Sequence, residues 1–317
     1  MYYEMRKEAE LKKQIHPQYK PADFEEFWTS NIAALKGIPI EYTREKIETK
    51  YDDKFNTYLV KFNTHDDTVV EAYYSVPLSY CGKKLPCVAF YHGGRGSKTI
   101  QPAIVETGVC CFAIDVREQK EGSTIDKAIY HSCDEDRGLM TRGVLDHNEF
   151  YMKNIYLDAV RAMDVIAQLE EVDAKRIVTY GASQGGALST VASAFSGRSR
   201  KCYSIVSSYS VLEKRIEDGT GIFGTTNKFL TKHPEYTDSV METISYFDMI
   251  NVVSFLKVQA SFCLGLADEI CLPSYVYSIY HHADCDKSII LYPFTPHCFP
   301  PDFVRRFREE MTELAKL

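Results

Sequence analysis

Two stretches of the chain, residues 87–91 (Cys-Val-Ala-Phe-Tyr) and 109–114 (Val-Cys-Cys-Phe-Ala-Ile), are apolar at every position. A strand with one wet face alternates polar and apolar residues, whereas an unbroken apolar run belongs to a strand buried on both faces. Further strands fit 176–180, 202–206, 260–266 and 288–292, which are mostly apolar. Between them lie helical segments. Residues 155–169 carry an apolar stripe at Tyr156, Ala159, Val160, Met163 and Ile166, and 186–195, 275–281 and 303–314 are further helices. Such alternation predicts an α/β fold, a mostly parallel central sheet with helices on both faces. Residues 1–80 form an N-terminal extension. Its first 35 residues are charged and helical, anchored by Phe24, Phe27 and Trp28, and 40–76 read as antiparallel strands. Residues from about 213 to 247 are helical but polar, and they sit between two core strands. That pattern predicts an insertion capping the strand ends. With no repeat and no Pro/Ser-rich linker, residues 1–317 are expected to form a single domain.

Charge narrows the range of partners. Lys and Arg number 37 against 44 Asp and Glu, a net charge of −7, and the basic runs are as short as Arg198-Ser199-Arg200-Lys201. Nucleic acid is therefore not an expected partner. No segment is apolar for long enough to cross a bilayer, and residues 1–8 lack the apolar core of a signal peptide, so a cytoplasmic protein without a membrane partner is expected. The ten cysteines show no C-x-x-C pair and read as small buried hydrophobes, not as a disulfide framework or a zinc site.

The strongest local signal is Gly181-Ala182-Ser183-Gln184-Gly185, a G-x-S-x-G between a strand and a helix. A serine on so sharp a turn projects its hydroxyl above the sheet, and the flanking glycines Gly181 and Gly185 leave room for strained backbone. The following helix aims its free N–H groups at any developing oxyanion. Such a nucleophile needs a base, and the base needs an orienting acid. In this kind of fold they follow in the order serine, acid, histidine, each on a loop after a strand. Ala267-Asp268-Glu269 follows strand 260–266, and Pro293-Phe294-Thr295-Pro296-His297 follows strand 288–292. Asp268 is preferred to Glu269 because it lies nearer its strand end. His297 is preferred to His281 and His282, which fall within a helical stretch, and the neighbouring Cys298 is read as a buried thiol.

A second oxyanion donor is expected from His92-Gly93-Gly94-Arg95-Gly96, after strand 87–91. Nucleotide binding fails on spacing. In Gly93–Thr99 the residue before Lys98 is Ser97 where a phosphate loop has glycine, with no Gly five residues before Ser97, and Gly181–Gly186 misses the dinucleotide pattern.

With these residues assembled, the chain resembles the cephalosporin-C deacetylase and acetylxylan esterase group, the seventh family of carbohydrate esterases. The likeness runs from Asp23-Phe24-Glu25-Glu26-Phe27-Trp28 through Tyr156–Ala162 and Gly181–Gly186 to Ser245-Tyr246-Phe247-Asp248, Gly265-Leu266-Ala267-Asp268 and Pro273-Ser274. The resemblance implies an α/β-hydrolase fold and a serine esterase removing acetyl groups from small acetylated sugars and related esters. It implies no cofactor and no metal, and often a homo-oligomer, a hexamer of paired subunits. Ser183, Asp268 and His297 would form the triad, and the N–H groups of Gly94 and Gln184 the oxyanion hole. Arg117 and Gln119 match a structural Arg-Gly-Gln motif whose middle residue is Glu118 here. A histidine–glutamate pair reads His297-Cys298, and a position usually held by tyrosine is Gly94. Losing that ring predicts a wider acyl site, from acetyl through butyryl. The competing readings are a hydrolase of other short acyl esters or thioesters, and a non-catalytic hydrolase-like binding protein.

Overall fold

The computed structural model describes residues 2–132 and 138–317. Helices α1 (Tyr2–Leu11) and α2 (Phe24–Gly37) lead into strands β1 (Tyr42–Ile47), β2 (Phe55–Asn63), β3 (Val69–Pro77) and β4 (Leu85–Tyr91). Then come α3 (Pro102–Val105), β5 (Cys110–Ile114), α4 (Tyr151–Ile166), β6 (Val172–Ala182), α5 (Gln184–Phe195) and β7 (Ser199–Ile205). Helices α6 (Leu212–Glu217), α7 (Gly224–Lys232), α8 (Thr237–Ser245) and α9 (Met249–Val252) precede β8 (Gln259–Gly265), α10 (Pro273–His282), β9 (Lys287–Tyr292) and α11 (Pro301–Lys316).

The nine strands of the described residues join one sheet in the order β1-β2-β3-β5-β4-β6-β7-β8-β9. The first three pair antiparallel and β3 joins β5 antiparallel, while every pairing from β5 to β9 is parallel. The carboxyl ends of β4, β5, β6, β8 and β9 therefore share one edge, where a parallel sheet collects its functional loops.

Apolar side chains cover both faces. On one face α2, α4 and α5 bury Trp28, Tyr156 and Val191 against Ala89 and Phe112. On the other, α11 supplies Phe303, Phe307, Met311 and Leu314, an i, i+4, i+8, i+11 stripe, against Val88, Val178 and Tyr203. The ring of Phe307 stacks on Tyr180 at 3.9 Å.

Helix α4 departs from the expected half-wet stripe. Its polar residues Asn154, Asp158, Arg161 and Asp164 are buried as well. Protein groups take the place of water there: Asp158 takes Arg117 and Thr64, Asp164 takes Arg198, and Arg161 donates from Nη2 to the Ile38 carbonyl, while its Nε is buried without a partner among the described residues. The cysteine expectation also needs correction. Six are buried, but Cys81 is exposed and Cys285 and Cys298 are half-buried; Cys133 lies outside the described residues.

Trp28 ties the N-terminal helix to the body. It is fully buried, stacks on Phe195 at 4.9 Å and donates its indole N–H to the carbonyl of Tyr246 at 2.9 Å. Replacing it removes both a large apolar volume and a satisfied polar group. Trp28→Ala should cost about 3–5 kcal/mol of stability, read from the urea midpoint; a loss under about 1 kcal/mol would show that the extension is dispensable to the core.

Candidate active site

The joint between β6 and α5 is the tightest place in the molecule. A Cβ on Gly185 would stand 2.0 Å from the Tyr91 carbonyl oxygen, and one on Gly181 would stand 2.5 Å from the Gly185 carbonyl oxygen. Only glycine allows that approach. The turn forces Ser183 to φ 58° and ψ −122°, which an L-residue holds only when its surroundings over-determine it. They do. The Ser183 N–H donates to Ile205 at 2.9 Å, and its carbonyl accepts from the N–H of Ala187 at 3.1 Å and of Ser208 at 3.0 Å. Ser183 thus stands half-exposed at the shared edge, with the N–H of Gln184 opening helix α5.

Asp268 and His297 meet directly. His297 Nδ1 lies 2.8 Å from Asp268 Oδ2, while Asp268 Oδ1 accepts from the N–H groups of Ile270 and Cys271 at 2.9 and 2.8 Å. The carboxylate is buried and every oxygen is engaged, whereas Glu269 points to solvent. Gly265 makes the meeting possible, since a Cβ there would fall 2.2 Å from the Thr295 carbonyl in the loop leading to His297. Burial disfavours the charged imidazole, but the hydrogen bonds to Asp268 and Cys271, with the Asp268 charge, outweigh it and raise the His297 pKa. His281 and His282 lie in α10, as expected, and His282 contacts the carbonyl of His16.

The loop after β4 is held from beneath. The Val116 N–H donates to His92 Nε2 at 3.0 Å, so that nitrogen is an acceptor and the proton sits on Nδ1, which reaches the Gly93 carbonyl at 2.8 Å. Burial lowers the His92 pKa and keeps the ring neutral. Its proton is committed to shaping the loop. Gly94 has open space beside it, because a Cβ there would meet only Gln184 Oε1, at 4.0 Å.

The Arg117-Glu118-Gln119 segment explains how a glutamate replaces glycine. Glu118 does adopt φ 57°. Its N–H donates to Thr124 at 2.9 Å, and its carboxylate accepts from the Asp126 N–H at 3.2 Å, so local bonds offset the strain. Arg117 is fully buried and bidentate to Asp158, both bonds 2.7 Å, with Asp66 and Asp126 on Nη1 at 2.6 and 2.9 Å. Gln119 Oε1 accepts the N–H of Arg95 at 2.6 Å, pinning the left-handed residue just past Gly94. Sequence reasoning singled out Arg117 and Gln119 but missed His92 and Tyr209. Tyr209 donates to Gln184 Oε1 at 2.5 Å from a loop with no local motif, so only the fold reveals it. Among the described residues, no three His, Cys, Asp or Glu side chains cluster closely enough to hold a metal ion.

A strand–Ser–helix elbow and an Asp–His pair, both at the carboxyl edge of a mostly parallel sheet, define an α/β-hydrolase. The acetyl xylan esterase (AXE1) family model matches residues 4–311, so the chain belongs to that family of carboxylic ester hydrolases. The chain is similar to an acetyl xylan esterase from Paenibacillus sp. R4, with TM-score 0.88 and 28% identity over 95% of this chain and 98% of that one. Acetyl xylan esterase 1 from Thermoanaerobacterium shares the fold, with TM-score 0.86 and 24% identity over 96% and 98% of the two chains. The acetyl esterase Axe7A of Xylanibacter ruminicola is 25% identical over 87% of this chain, which spans 63% of that relative's length.

The elbow gives a stability prediction. Gly185→Ala drives a methyl into the backbone of Tyr91, which cannot yield without moving β4. It should cost about 3 kcal/mol or more in chemical denaturation. A variant as stable as the parent would mean that the close approach is not required.

Proposed function

We propose that the chain is a serine esterase that removes acetyl and other short acyl groups from small acetylated sugars, xylo-oligosaccharides or cephalosporin-like esters. The observation that carries this reading is the Asp268–His297 pair, with its acid fully bonded, on the same sheet edge as a left-handed Ser183. Family membership supports the acetyl group as substrate. His297 takes the Ser183 proton as Oγ attacks the ester carbonyl, and the N–H groups of Gln184 and Gly94 receive the developing oxyanion. The imidazolium returns its proton to the leaving alcohol. Water, activated by the same histidine, then releases the acid from the acyl-enzyme. Asp268 holds the Nδ1–H tautomer and stabilises the imidazolium.

No helix of the described residues is long and apolar enough to cross a membrane. The family likeness supports a homo-oligomer, a hexamer as the specific reading.

Two measurements test the mechanism. Ser183→Ala should lower kcat on aryl acetates by about 10⁴-fold or more with the unfolding midpoint little changed, and a fluorophosphonate probe should label Ser183. Labelling elsewhere, or full activity in the variant, would remove Ser183 from the mechanism. The second is a pH profile. His297 must be neutral to act as base, so kcat/KM should fall as pH drops through its raised pKa, with a midpoint above the ordinary value of about 6.5. Asp268→Asn removes the charge that raises it, so the residual activity should be far lower and its midpoint shifted downward. An unmoved midpoint would exclude Asp268 as the orienting acid.

A further inference from the structure

Arg215, on α6 at the start of the polar insertion, is a buried charge without a counter-charge. It is 4% exposed, yet among the described residues it forms no ion pair, since the neighbouring Glu217 and Asp218 both take Lys214. Its guanidinium lies over the Tyr275 ring, 5.1 Å from the centroid, and commits two donors to backbone carbonyls. Nε donates to Ser210 at 2.9 Å and Nη1 to Ile270 at 3.0 Å. Burying a cation on such terms is costlier than burying an apolar side chain of the same volume. Stability alone does not account for it.

Each of those carbonyls belongs to a peptide whose N–H is held by a carboxylate. The peptide between Ser210 and Val211 offers its N–H to Asp248 Oδ1 at 3.1 Å. Asp248 is itself fixed by the N–H groups of Leu212 and Ile250, at 2.7 and 3.0 Å. The peptide between Ile270 and Cys271 offers its N–H to Asp268 Oδ1 at 2.8 Å. A trans peptide is planar, with C=O and N–H pointing opposite ways, so holding the oxygen fixes where the hydrogen points. Arg215 thus joins an anchored loop to Asp268 through two rigid planes.

The other oxygen of Asp268 completes the line. Oδ2 meets His297 Nδ1 at 2.8 Å, so a carboxylate rotated off the Cys271 N–H would also misdirect the imidazole. A cation on the Ile270 carbonyl polarises that amide and strengthens its N–H as a donor to the carboxylate. The N–H of Ile270, 2.9 Å from the same Oδ1, lies on the preceding peptide. Asp268 therefore has one support from its own loop and one that reaches it from the insertion.

We propose that Arg215 is a positioning residue for the esterase reaction: by gripping the Ile270 carbonyl it sets the Cys271 N–H against Asp268, and so couples the helical insertion to the aim of His297. The inference rests on the reading of Ser183, His297 and Asp268 as the esterase triad. Arg215 touches none of the reacting atoms and acts only through Asp268.

A double-mutant cycle on aryl acetates separates this role from a structural one. Arg215→Met keeps the stem over Tyr275 and removes every donor. It should lower kcat by about tenfold to a hundredfold, the effect of one charge-assisted hydrogen bond, with KM changed by less than about threefold. In an Asp268→Asn background the same substitution should change kcat by less than about threefold, because the group it acts through is already lost. A loss of folded protein would lower kcat equally in both backgrounds. The far-downfield proton of the His297–Asp268 hydrogen bond gives a second readout, and in the proton NMR spectrum of Arg215→Met it should move or broaden. Arg215→Lys, whose one ammonium cannot span both carbonyls, should show a smaller loss with the same dependence on Asp268, and it carries the test if Arg215→Met does not fold. Full kcat in the folded variant under test, or equal losses in the two backgrounds, overturns the assignment and leaves the esterase intact. Activity surviving in Ser183→Ala, or no turnover by the wild type, would instead bring down the esterase reading itself.

Discussion

The close approach of β4, β6 and α5 governs everything at the carboxyl edge of the sheet. Gly185 lies so near the Tyr91 carbonyl that no side chain fits, and this contact leaves Ser183 the one conformation that continues the strand into the helix. Strain of this kind persists only under many simultaneous constraints. Here they come from the end of β7 at Ile205, the loop after it at Ser208 and the first turn of α5. The same contact brings the free N–H groups of α5 to the loop that follows β4. The candidate nucleophile and oxyanion donors are consequences of a single packing event.

Buried charge organises the second layer. Arg117 receives carboxylates from Asp66, Asp126 and Asp158, on three separate segments of the chain. Removing Arg117 would leave these carboxylates without their shared cation, which is far costlier than the net value of any one pair. The network holds the turn at Glu118 and, through Gln119, the backbone at Arg95. A largely buried polar cluster is thereby connected to the loop that bears Gly94. The tolerated glutamate in place of glycine shows how local hydrogen bonding can offset an unfavourable φ.

The elements legible in the sequence were those whose signal is local. Unbroken apolar runs marked the doubly covered strands, and a small-residue motif between strand and helix marked Ser183. Asp268 and His297 were legible because connection order in this fold is fixed by topology. The burial of polar residues all round α4 was not legible, since nothing within that segment tells that the extension packs over it. His92 was read as one residue of a glycine-rich loop. Its role as a neutral strut depends on Val116, which lies in the loop after β5.

By itself, then, the order of residues along the chain determined which strands are buried, where the elbow turns and which acid and histidine follow it. These depend on periodicity, steric permission and chain order, all properties of neighbouring residues. Tertiary structure alone decided that the Asp268 carboxylate is held by the N–H groups of Ile270 and Cys271 as it meets His297, that Arg117 is shared among three carboxylates, and that Tyr209 orients Gln184 against the space beside Gly94. Each of these turns on a contact between segments distant in sequence. Its existence rests on directions and distances set by the packed sheet, about which a linear pattern carries no information.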